Sequence, residues 1–143
     1  MVRSVGRWVL AGSLVFTGVA HFVMTETFER LVPPWVPAPT AIVWITGVME
    51  LGFAVALVAT PPGPSRRRVG LLLAVFLALV FVGNVYQAVA GVEAFGLDTD
   101  AERWGRLVFQ PLLIVWALWV CEGLGQDPAT GGDEPGGADA PSG

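Results

Sequence analysis

Few residues in this chain can do chemistry, and most of them recur at helical spacing. His21 and Cys121 are each the sole residue of their type. One cysteine excludes an internal disulfide and any paired-cysteine redox or zinc motif. One histidine excludes an all-protein multi-histidine metal site. Redox chemistry here would need a cofactor, a quinone or a partner protein. The other candidates are polar groups embedded in apolar runs. Ser13, Thr17 and His21 follow at i, i+4, i+8, and Thr46 and Glu50 lie one turn apart. Asn84 and Gln87 lie at i, i+3, and Arg103, Arg106 and Gln110 at i, i+3, i+7. On a helix each set occupies one face.

Glu50 is the most informative of these. An ionised carboxylate deep in an apolar run costs several kcal/mol unless it is paired or protonated. Its partner could be His21 or Arg106, the former through helix tilt or an intervening water. The functional reading is a proton-handling or ligand-binding carboxylate, for example for a quinone. The alternative is interhelical glue, with a protonated Glu50 bonded to Asn84 or Gln110. His21 reads as a proton relay or quinone-carbonyl donor, or as a hydrogen-bonded interface histidine. Asn84 and Gln87 read first as packing amides. Cys121 reads as apolar filler.

The elements that carry these groups follow from composition. The chain has 143 residues, enough for one domain. Hydrophobic residues make up 54% and charged residues 14%, against about 25% charged in a soluble domain. Mean hydropathy is +0.65. This balance excludes a nucleic-acid binder, a cytosolic enzyme and a disordered chain, and it points to an integral membrane protein. Four apolar segments, 5–24, 41–60, 69–90 and 104–121, each match the roughly 17–25 residues of a spanning helix. None alternates with period two, which excludes a membrane β-barrel. The expected fold is therefore all-α, a four-helix transmembrane bundle over 1–121 with short loops. The tail 122–143 is acidic, rich in Gly and Pro, and expected to be disordered.

Pro33, Pro34, Pro37 and Pro39 forbid a continuous helix through the first connection. Before them Phe28, Leu31 and Val32 share a face, consistent with a short interfacial helix anchored by Trp35. The second connection, 61–68, holds Arg66, Arg67 and Arg68; the third, 91–103, is acidic. Arg3 and Arg7 before the first segment lie on the same side as Arg66–Arg68, so both termini are expected to face the cytoplasm. The alternative for the first segment is a signal peptide cleaved after Ala20. At about 1.5 Å per residue, His21 lies roughly 5 Å from the outer end of its segment and Glu50 roughly 14 Å in. Asn84 and Gln110 lie roughly 9 Å from theirs. The inner halves are Leu, Val and Ala. A polar cavity just below the outer surface is the expected result. Pro111, which removes the helical bond to the Leu107 carbonyl, is expected to kink the last helix there.

Several runs resemble the DoxX-like family of small bacterial membrane proteins. They are Gly18–Val19–Ala20–His21–Phe22, then Phe28, then Leu31–Val32–Pro33–Pro34–Trp35–Val36–Pro37. Thr46–Gly47–Val48–Met49–Glu50–Leu51–Gly52 in the second segment is also similar. Gly83–Asn84–Val85–Tyr86 stands where the related subgroup has a Pro-Ala-Asn-Ile-Tyr-like run, with the proline absent. Arg106–Leu107–Val108–Phe109–Gln110 stands where it tends to read Arg-Leu-Pro-Leu-Gln. The resemblance covers about residues 5–121. It implies a four-helix bundle in the bacterial inner membrane, with motif positions at His21, Glu50, Asn84, Arg106 and Gln110. Some members of that family are small subunits of quinone-linked oxidoreductases. The function expected on this basis is an auxiliary, non-catalytic subunit of a quinone-linked membrane redox system. Its partners would be the bilayer and a membrane redox enzyme or a second copy of the chain. A small proton-coupled transporter and a structural scaffold are the alternatives.

Overall fold

The structure is a computed structural model, and it describes residues 1–96 and 99–121. The tail expected to be disordered lies outside the described residues. Everything described is helix, turn or loop. The helices are α1 (Val2–Val23), α2 (Thr25–Glu29), α3 (Pro39–Ala59), α4 (Pro64–Ala90) and α5 (Asp100–Val120). A short helix, α2, does stand in the first connection; it holds Phe28 and ends before Leu31 and Val32.

The helix boundaries have local causes. α1 ends at Met24, whose φ of -120° breaks the helical run before α2 begins. Proline opens both α3 and α4, where a missing N–H costs nothing. That start places Arg66, Arg67 and Arg68 inside α4, so the helix begins about a turn earlier than the apolar run suggests. α5 also begins a turn early. The Thr99 side chain accepts from the Glu102 N–H, and the Glu102 carboxylate accepts from the Thr99 N–H at 3.1 Å. This capping box satisfies two orphan donors at the helix start. It also carries Arg103 into the helix. α5 continues unbroken through Pro111.

Three helices, α1, α3 and α4, are long and apolar enough to cross a membrane, at 22, 21 and 27 residues. α5 has the length, but Asp100, Glu102, Arg103 and Arg106 crowd its first two turns. The outward faces are apolar: Phe16, Leu79 and Val108 are 76%, 67% and 69% exposed.

The long helices pack as two close pairs. α1 lies along α3 and α4 along α5, while α1 meets α5 and α3 meets α4 more sparsely. The hydrophobic core sits at one end. It joins Leu10, Ala11 and Leu14 of α1, Ala54 and Leu57 of α3, Leu73, Phe76 and Leu77 of α4, and Ala117 and Val120 of α5, with Cys121. These residues come from the end that also carries the N-terminus and Arg66–Arg68. At the opposite end apolar filling gives way to buried polar groups, and a space opens between the two helix pairs.

Candidate functional site

A cavity of about 740 Å³ occupies that space. His21, Glu50, Asn84, Arg106 and Gln110 all line it, so the polar stripes of the four long helices share one chamber. The volume falls within the usual range for small-molecule sites. Most of the remaining wall is apolar, including Leu14, Met49, Phe76, Leu79 and Val82.

The first wall comes from α1 and α3. These helices approach closely at Gly18 and Gly47. A Cβ on Gly47 would stand 2.8 Å from the His21 Cβ and 3.0 Å from the Gly18 carbonyl oxygen. Only glycine permits this crossing. One turn beyond Gly47 on the same face is Glu50, which the crossing brings beside His21. The separation from His21 Nδ1 to Glu50 Oε2 is 3.5 Å, with both side chains buried. The expected need for tilt or a bridging water between them is met by this direct approach. His21 Nδ1 also lies 2.8 Å from the Thr17 carbonyl oxygen. A carbonyl only accepts, so Nδ1 carries the proton and donates, and Nε2 of the neutral ring is an acceptor. Glu50 Oε2 is buried and has no hydrogen-bond partner.

The second wall comes from α4 and α5. Asn84 Nδ2 donates to Gln110 Oε1 at 3.2 Å, and Gln110 Nε2 donates to the Leu77 carbonyl at 3.1 Å. Arg106 Nη1 donates to Gln87 Oε1 at 3.2 Å. These bonds tie α4 to α5. Of the alternatives weighed for Glu50, Arg106 instead bonds Gln87, and Asn84 and Gln110 bond each other. The reason is the pairing of helices, which gives each polar group its partner within its own pair. Arg103 shares a helix face with Arg106 and Gln110 but lies outside the cavity lining, with Nη2 donating to Asp100 at 2.7 Å.

Aromatic side chains bridge the two walls at the end away from the hydrophobic core. The Phe28 ring from α2 stacks on His21 with centroids 3.9 Å apart. The Phe95 ring meets Phe28 edge-on at 4.8 Å. The Arg106 guanidinium carbon lies 5.0 Å from the Phe95 centroid, a cation–π arrangement. The chain His21, Phe28, Phe95, Arg106 thus links α1 to α5 through rings. Phe95 adopts φ 60°, a left-handed conformation that a non-glycine residue reaches at a cost of roughly 1–2 kcal/mol. Sequence reasoning placed neither ring in the site. Phe28 carried a signal in its shared face with Leu31 and Val32. Phe95 carried none, because its placement depends on a loop conformation.

The first connection roofs the cavity. Leu31 and Pro33 are buried, and both line it. A Cβ on Gly83 would meet the Leu31 carbonyl oxygen at 3.1 Å, so glycine there lets this strap lie on α4. The Trp35 ring meets Tyr86 edge-on at 5.8 Å, a second contact of the strap with α4. Among the described residues no group of three or more His, Cys, Asp or Glu side chains is placed to hold a metal ion.

A family defined by a domain of unknown function, DUF8561, matches residues 10–121, which takes in α1 from Leu10 onward, the other four helices and every cavity group. The chain belongs to that family. No curated protein and no solved structure matches it.

Proposed function

We propose that this chain is a DoxX-like four-helix protein of the bacterial inner membrane, with both termini cytoplasmic. In this reading α5 is the fourth spanning helix, and the cavity binds the ring of a lipid-soluble quinone. The protein would serve as an auxiliary subunit of a quinone-linked redox system. Support for membrane insertion comes from the three long apolar helices and their exposed apolar faces. An apolar surface of that extent is a liability in water and ordinary in lipid. The Arg-bearing first two turns of α5 lie at the outer end, where long side chains reach the interface or the cavity.

One observation carries the proposal: polar groups from all four long helices converge on a single, otherwise apolar cavity. Its walls are chemically opposed. The α1–α3 wall offers acceptors, the Glu50 carboxylate and His21 Nε2. The α4–α5 wall offers donors, the Arg106 guanidinium and the amides of Asn84 and Gln110. A planar ring with oxygens on opposite edges suits such a pair of walls. A carbonyl would accept from Arg106, and a quinol hydroxyl would donate to Glu50.

Photo-crosslinking in lipid nanodiscs tests this reading. A quinone carrying an azide on its ring is expected to label peptides holding His21 and Glu50. Labelling spread evenly over the outward leucines would overturn it. The unpartnered Glu50 oxygen favours a second reading, proton-coupled transport with Glu50 as the coupling carboxylate. That reading requires pH-dependent flux in proteoliposomes that Glu50→Gln abolishes. If the chain is a scaffold, Glu50→Gln and His21→Ala change stability alone.

A further inference from the structure

The sparse contact between α3 and α4 leaves a seam along one side of the cavity. Four apolar lining residues flank it and are also exposed. Ile42 and Met49 from α3 are 39% and 41% exposed, and Leu79 and Val82 from α4 are 67% and 52% exposed. Each pair shares a helix face, at i, i+7 and i, i+3. The seam is bounded at both ends. Toward the dry core the Phe53 and Phe76 rings meet at 5.3 Å and close it. Toward the outer end Gly83 lets the strap lie against α4 and roof it. What remains is an apolar window beside the polar walls.

We infer that this window admits the ligand from the lipid and holds its tail, so that the bound molecule has two parts: a planar, oxygen-bearing ring inside and one unbranched or isoprenoid chain leaving between α3 and α4. The inference rests on the quinone reading of the cavity and adds the route and the shape of the ligand. The opposite seam, between α1 and α5, has the rings of Phe16 and Phe109 beside the cavity. Its aromatic lining contrasts with the flexible Met49 and Leu79, which can part around a chain. The tail adds little affinity here, because the lipid it leaves is as apolar as the window. The window decides which ligand shapes fit and adds little strength.

Two probes and the full chain in nanodiscs test this. One is a benzoquinone with the azide on the ring; the other carries a diazirine at the end of its isoprenoid tail. The tail probe is expected to label Ile42, Met49, Leu79 or Val82. Ring labelling of His21 and Glu50 with tail labelling at Phe16 or Phe109, or spread over the outer faces, overturns the window and leaves the cavity reading standing. Absence of ring labelling overturns both. A second arm plugs the window with Leu79→Trp, and separately with Met49→Trp. Ring labelling by a tailed quinone is expected to fall about tenfold, and that of a tail-less ring of the same chemistry to fall less. Equal loss of both, or unchanged labelling of both, contradicts the window. Val108→Trp on the outward face of α5, outside the cavity lining, is the control expected to alter neither.

Discussion

Gly47 sets the position of Glu50. A side chain there would collide with the His21 Cβ, the Phe22 ring edge and the Gly18 carbonyl, and of these only the Phe22 ring could move aside. Gly47→Leu is expected to push α1 from α3 and to lower stability by about 1–3 kcal/mol, the usual cost of overpacking. Unfolding in mixed micelles measures it, and an unchanged midpoint would show that the two helices do not touch there. Glu50 and His21 were identifiable from spacing alone, because ionisable groups in apolar runs are costly and therefore few. Which of them would pair was not identifiable. His21, Arg106, Asn84 and Gln110 were all candidates for Glu50, and the choice depends on the crossing of two helices at Gly18 and Gly47, 29 residues apart in the chain. Phe95 lay further out of reach. Its φ of 60° is held by the surrounding structure, and a lone Phe in an acidic loop gives no hint of a ring between His21 and Arg106.

At the scale of elements, the apolar runs located the long helices and misjudged their starts. The errors are instructive. Pro64 begins a helix that accommodates three arginines at its exposed end, and hydropathy alone discards such a turn. Thr99 and Glu102 form a capping box with the spacing Thr-x-x-Glu, which was present in the sequence and outweighed by the charges around it. Thr99→Ala is expected to cost about 1 kcal/mol and to increase amide exchange in the first turn of α5. Protection identical to the unsubstituted chain would show that the box is idle. Gly83 has a larger consequence for the site. Gly83→Val should lift the strap off α4, seen as faster exchange over 31–36 with α1 and α3 unchanged. Unaltered exchange in the strap would separate it from α4. α5 runs on as one element through Pro111.

The whole molecule divides along its length. One end is a packed apolar core, and the other splits into two helix pairs around a polar chamber. The depth arithmetic anticipated this division, since strongly polar residues clustered toward one end of every segment. The proposed direction of the bundle, with the chamber outward and the arginine-rich end in the cytoplasm, rests on the arginines. Single cysteines in a Cys121→Ser background test the direction. Glu93→Cys should react with a membrane-impermeant maleimide on intact cells, and Ser65→Cys only after lysis. The reverse pattern would invert the bundle and place the chamber on the cytoplasmic side.

The central claim is that the polar side chains serve one shared, ligand-accessible chamber. Carbodiimide modification of Glu50 tests it most directly. A hydrophobic carbodiimide applied to the protein in nanodiscs is expected to add to Glu50, read as a mass shift on the peptide containing it, and a tailed quinone is expected to suppress that addition. Modification that proceeds equally with and without quinone, or a Glu50 that never reacts while other carboxylates do, would contradict the account.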